Sequence, residues 1–214
     1  MQNWVKFVKF YLDHPTIWPK VIFLDKKKFN LDGPDGIQYY WYNLRKETEM
    51  YSKRVNGGGG FMIWAGFSVH SKTELAFLDT KVNSAKYVAM LEKTLLPFAC
   101  GTYEKELGDF YFQQDNAPIH VSKEANKWFD DRAILQLKWP AKLPDLNPIE
   151  NLWGYMVRKV YNNGNCQFKH KNELKEALLD VWSNIPSNLL KKLAKSKFNC
   201  CIAVTGRQGK NIHY

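Results

Sequence analysis

Three acidic residues stand out by type and setting. Asp25 closes the apolar run VIFLD, Asp115 closes FYFQQD, and Glu150 stands two positions after the last proline of WPAKLPDLNPIENLWG. If 110–115 follows a helical crossover and pairs parallel to 21–25, the carboxyl ends of the two strands lie side by side and Asp25 and Asp115 project at one sheet edge. Two carboxylates placed there repel each other. A divalent cation removes that repulsion, and hard oxygen ligands favour magnesium or manganese. Glu150 brings a third carboxylate on the first turn of a helix. Three carboxylates from two strand ends and a helix can hold two cations about 3.5–4 Å apart, the arrangement used for in-line phosphoryl transfer on nucleic acid.

Glu150 also has a purely local reading. Asn147 is a favoured helix N-cap, Pro148 suits the first helical position, and a glutamate at the third position closes a capping box. Cap and metal ligand both stand at this stage. Asn116 and His120, close behind Asp115, are candidates to touch DNA or to hold a metal ligand in place, and His120 is equally a packing residue. Trp139 and Trp153 bracket the glutamate and read as core anchors before base-stacking platforms. Asp32 and Asp35 in DGPDG and Asp145 in PDLNP are explained by turn formation.

The elements that must position these residues change period along the chain. VIFLD (21–25) reads as a buried strand, YYWY (39–42) as a second candidate strand, and FMIWAGFSV (61–69) and LAFLD (75–79) as strands of an antiparallel meander. Between them, residues 43–60 are charged and then all glycine, which predicts an exposed loop closing into a flexible hinge. Helices are predicted over 83–98, 121–131, 147–161, 172–185 and 187–204, and strands over 110–115 and 134–139. The fold class is α/β: three antiparallel strands, then parallel strands, flanked by helices.

With 214 residues and 45% hydrophobic content the chain can bury a substantial core. No apolar run approaches bilayer-spanning length and MQNWVKFVKF lacks the apolar stretch of a signal peptide, so a soluble intracellular protein is expected. Cys100, Cys166, Cys200 and Cys201 form no C-x-x-C pair and complete no zinc-ligand spacing with the histidines. The net charge of +10 is unevenly spread: Lys and Arg outnumber Asp and Glu ten to six over 1–60 and eleven to three over 151–214, but trail them ten to twelve over 61–150. Basic ends around an acidic middle suit a protein that holds a polyanion against carboxylates, and they equally suit a solvated basic surface. The lysines at 191, 192, 195 and 197 have the same two readings.

At this point the motifs become recognisable. VIFLDKKKFNLDGPDG, FYFQQDNAPIH and WPAKLPDLNPIENLWG, with 34 residues between Asp115 and Glu150, resemble in order and spacing the catalytic domain of mariner-superfamily DNA transposases, in particular the worm-type branch. The resemblance runs from about Lys20 to the C-terminus and leaves 1–20 as a linker or N-terminal helix remnant. It implies a ribonuclease H-like fold over 21–214 and a two-metal mechanism that cuts DNA at an element's ends and joins the freed 3′-hydroxyls to a target. It further implies that Asp25 bridges two Mg2+ or Mn2+ ions, with Asp115 holding one and Glu150 the other.

Carried over the same way, the 43–60 loop with Arg45, Lys46, Lys53 and Arg54 falls where family members reach towards a partner subunit or DNA. Double-stranded DNA, a homodimer assembled on it and a nuclear location follow from the resemblance. Two departures stand out. Lys26, Lys27 and Lys28 replace the acidic residue that commonly follows the first aspartate, which either alters metal affinity or adds a phosphate contact. Only some 20 residues precede VIFLD, so the helix-turn-helix modules that read element ends are expected to be absent from this chain. The alternative is a catalytically inactive or domesticated transposase-derived DNA-binding protein. A ribonuclease acting on RNA–DNA hybrids is disfavoured by the transposase-type motifs.

Overall fold

The structure is a computed structural model that describes residues 12–33, 59–78, 82–103, 110–137, 147–162 and 166–206, with α6 side chains to Ser196. A 3₁₀ turn over Pro15–Lys20 leads into β1 (Val21–Asn30), β2 (Gly60–Phe67) and β3 (Ala76–Leu78). Then come α1 (Ser84–Met90), a π turn (Leu91–Leu95), α2 (Leu96–Thr102), β4 (Tyr111–Gln113), α3 (Lys123–Asp131), β5 (Leu135–Gln136), α4 (Pro148–Val160), α5 (Lys171–Ser183) and α6 (Ser187–Gly206). The five strands form one sheet in the order β3-β2-β1-β4-β5. β1–β2 and β2–β3 are antiparallel, and β1–β4 and β4–β5 are parallel, as the strand and helix alternation predicts.

β1 is longer than its apolar run. The strand does not end at Asp25 but continues through the three lysines to Asn30, because β2 pairs it residue for residue from Phe23↔Phe67 to Asn30↔Gly60. That ladder outweighs the low strand preference of lysine, and Lys26 and Lys28 simply face water. β4 falls short by contrast, ending at Gln113, two residues before Asp115.

The end of the glycine run is not a loose hinge. Gly59 has φ +81°, its carbonyl accepts from the Leu31 N–H at 3.1 Å, and a Cβ on Gly60 would stand 2.2 Å from the Phe29 carbonyl oxygen. Glycine is required there by close backbone approach at the start of β2. The remainder of the 43–60 loop and the YYWY strand lie outside the described residues.

Both faces of the sheet are covered. Val21, Phe23, Phe29, Ile63 and Phe67 pack under α4, α5 and α6 around Ile149, Trp153, Leu178 and Trp182. Ile22, Leu24, Trp64 and Phe112 pack under α1, α2 and α3 around Tyr87, Leu91, Leu95 and Phe129. Each fully buried side chain of this size contributes about 1.5–3 kcal/mol, and alternation along β1 divides them between the two layers. The helix predicted over 83–98 runs on to Thr102. Pro97, which has no N–H to give, is accommodated by the π turn before it, where the Leu96 N–H reaches the Leu91 carbonyl. Among the described residues no helix is long and apolar enough to cross a membrane.

Candidate active site

The pleat of β1 aims Asp25. Val21 and Phe23 belong to the layer under α4, so Asp25, two residues on, emerges on that same face. It arrives over the start of α4, where the Trp153 indole N–H donates to Asp25 Oδ2 at 3.3 Å. Asn147, the N-cap, fastens the helix to the strand: its Nδ2 donates to the Leu24 carbonyl at 3.2 Å, while its Oδ1 accepts from the Ile149 N–H at 3.5 Å. Glu150 therefore enters from a first turn tied to the residue before Asp25. Its side chain closes no capping box. The box expected at Asn147 and Glu150 occurs instead at α5, between His170 and Glu173.

Glu150, exposed on the first turn of α4, acts on Asp25 through its charge. Burial, and next the charge of Glu150, push the Asp25 carboxyl up to about 7. Asp115 adds repulsion in the same direction, and a backbone hydrogen bond at Lys26 only partly opposes the rise.

Asp115 sits on an exposed turn beyond β4, and its surroundings work the other way. Its Oδ1 accepts from the Ala117 N–H at 3.1 Å and lies 2.5 Å from His120 Nδ1. A carboxylate only accepts, so Nδ1 carries the proton. The His120 ring is buried 4.5 Å from that of Tyr87, and its backbone N–H donates to the Ala117 carbonyl at 2.8 Å. Gln114 locks this turn from beneath: its Oε1 accepts from the Tyr87 hydroxyl, and its Nε2 donates to the His120 carbonyl at 3.3 Å and to Gln136 Oε1 at 3.2 Å. The His120 hydrogen bond holds the Asp115 carboxyl below its ordinary range against some burial, helped by the Ala117 N–H and the charges of His120 and Lys26.

The structure sets Glu150 and Asp115 near enough to Asp25 for both charges to raise its carboxyl. Among the described residues no three Asp, Glu, His or Cys side chains close around a single point. The arrangement is a shared one, with Asp25 acted on by Glu150 and by Asp115. The donors are all hard oxygens, and the central carboxyl is raised by burial and like charge, so the set fits divalent cations that would relieve both.

Asn116 is exposed beside Asp115, and Asp32 lies in the turn after β1. Arg45, Lys46, Lys53, Arg54, Asp35, Trp139 and Asp145 lie outside the described residues. Lys191, Lys192 and Lys195 are exposed on α6, as a wet helix face requires. Sequence reasoning took Trp153 as a core anchor, which it is, but missed its bond to Asp25. It also missed the strand-binding role of Asn147 and the whole of Gln113 and Gln114. The signal for the last pair was present: two polar residues inside an otherwise apolar strand.

Residues 20–175, which span all three carboxylates, match the family described as DDE superfamily endonuclease. The chain is 47% identical over 199 residues to the transposable element Tc3 transposase of Caenorhabditis elegans, covering 93% of this chain and 59% of that one. It therefore spans about three fifths of that relative's length. Among solved structures, the Mos1 transposase catalytic domain with raltegravir and Mg superposes with a TM-score of 0.76 at 16% identity, covering 98% of this chain and 95% of that one. The Mos1 transposase paired-end complex with the left transposon end gives 0.83 at 15% identity, covering 98% and 62%. At these identities the likeness fixes the fold, a ribonuclease H-like mixed sheet.

Proposed function

This chain belongs to the DDE superfamily of endonucleases, and we propose that it is the catalytic part of a transposase that cuts DNA at the ends of a mobile element and joins the freed 3′-hydroxyls to a target. The observation that carries the reading is Asp25, bonded to the Trp153 indole over the start of α4 and pushed up to about 7 by burial and by the charges of Glu150 and Asp115. Asp25, Asp115 and Glu150 would hold two Mg2+ or Mn2+ ions between them. Ions held there supply Lewis-acid stabilisation to the phosphate oxygens and activate the attacking water or hydroxyl.

The chain's own groups prepare that arrangement. His120 and the Ala117 N–H keep Asp115 anionic and fix its direction. Trp153 and Asn147 hold Asp25 and the start of α4, which carries Glu150, in mutual register. Asp25, which keeps its proton to about pH 7, would have to be deprotonated to hold a cation. The 47% identity to a transposase and the Mos1 structures with Mg and with a transposon end support the metal and DNA assignments. The basic C-terminal third supplies phosphate contacts. A homodimer assembled on DNA, working in the nucleus, completes the reading.

Magnesium- or manganese-dependent nicking of duplex DNA tests it. Glutamine keeps the size of Glu150 and loses the anionic oxygen, so Glu150→Gln melts without metal at or slightly above the parent temperature while nicking falls at least about a hundredfold. Near-parental nicking by Glu150→Gln, in a preparation where the parent is active, would overturn the assignment.

A further inference from the structure

We propose that Gln113 is a positioning residue for the carboxylate pair, its carboxamide donating to an oxygen of Asp25 or Asp115 once these close on a divalent cation. The inference rests on the reading that the three carboxylates bind such an ion. Gln113 is wholly buried, yet neither its Oε1 nor its Nε2 has a hydrogen-bond partner. Gln114, next in the chain and also buried, has both ends of its amide engaged. A buried amide without partners forfeits the bonds it had in water, and Met or Leu would fill the same space without that loss. Packing alone therefore gives no reason for glutamine at this position.

Placement supplies one. The parallel register sets Gln113 beside Phe23, on the face from which Asp25 emerges two residues further along β1. Asp115 follows Gln113 by two residues on its own chain. Diagonal neighbours in a sheet stand about 7–8 Å apart and remain within reach of a long side chain. A carboxamide supplies the donors that orient a ligating carboxylate, and it carries no charge to compete with the cation.

The test uses the 214-residue chain, melting without metal, and Mn2+ titration by calorimetry. Gln113→Met raises the metal-free melting temperature, because an unsatisfied amide is removed, and lowers Mn2+ affinity about tenfold. A purely structural role would move the melting temperature alone. Gln113→Leu, different in shape and equally without a hydrogen-bonding end, gives the same pair of changes and stands in if the methionine variant does not fold. Mn2+ affinity within about twofold of the parent, with Asp115→Asn abolishing Mn2+ binding, overturns the role of Gln113 alone. Unchanged affinity in Asp115→Asn as well overturns the metal-site reading, and this inference with it.

Discussion

Asp25, within β1, and Asp115, just past the end of the neighbouring parallel strand β4, are the same side chain, yet the fold treats them oppositely. Asp115 stands exposed on a turn, given a histidine N–H, a backbone N–H and a nearby lysine, all of which favour its charge. Asp25 is half-buried between two carboxylates, with one indole N–H at 3.3 Å. At neutral pH the first is anionic before anything binds, whereas the second is divided between its acid and its anion. The contrast is one of preparation: Asp115 is held as an anion, while Asp25 keeps its proton to higher pH, so the fold carries less than the full negative charge of the three carboxylates.

The largest effects come from neutralising each member. Asp25 has a folded value of about 7 against an ordinary 3.8, so its contribution to stability is complete below the ordinary value and lost as pH rises through about 7. The metal-free parent should therefore be less stable at about pH 8 than at about pH 5, by on the order of a few kcal/mol, and melt at a lower temperature. Asp25→Asn should flatten that slope and raise the melting point at the higher pH. Asp115 is shifted downward, so its contribution is present above its ordinary value and lost on acidification, and Asp115→Asn should lower the melting point at neutral pH. Both variants should lose nicking. Thermal melts across pH decide the matter, and equal signs for the two substitutions would break the contrast.

A tenfold effect is expected one step out. His120→Phe keeps a ring against Tyr87 but removes the donor to Asp115, so Mn2+ affinity at neutral pH should fall about tenfold. Calorimetry at unchanged fold would show it. Parental affinity would mean that the Ala117 N–H and Lys26 suffice to keep Asp115 ionised.

The smallest effect belongs to the Asp25 side. Trp153→Phe retains an aromatic ring 5.9 Å from that of Trp182 but loses the indole donor. The lost bond should cost about 1 kcal/mol at about pH 8, where Asp25 is ionised, and less at about pH 5. Melts at the two pH values separate this loss from the packing change common to both.

Much of this was legible in residue order. The apolar runs ending in VIFLD and FYFQQD gave the central parallel pair, and Asn147 with Pro148 marked the start of α4 to the residue. What was not legible depended on partners distant in sequence. β1 continues past Asp25 because β2, more than thirty residues away, offers a complete ladder, and no local preference of lysine announces that. The absence of a capping box at Glu150 and its influence on a carboxyl 125 positions earlier depend on tertiary placement that local helix-start signals do not carry. The buried glutamines were overlooked for the opposite reason, since polar residues beside a catalytic motif read as surface until burial is known.

The continuation of β1 beyond Asp25 has a dynamic consequence. Asp25 lies inside the central strand, paired with Ala65 across the antiparallel ladder, whereas Asp115 lies past the end of β4. Releasing the backbone at Asp25 requires β1 and β2 to separate, so this segment is expected to open only with the sheet. The Asp115 backbone lies outside the ladder and depends on the side-chain bonds of Gln114 and His120, so mild denaturant is expected to release it before it releases Asp25.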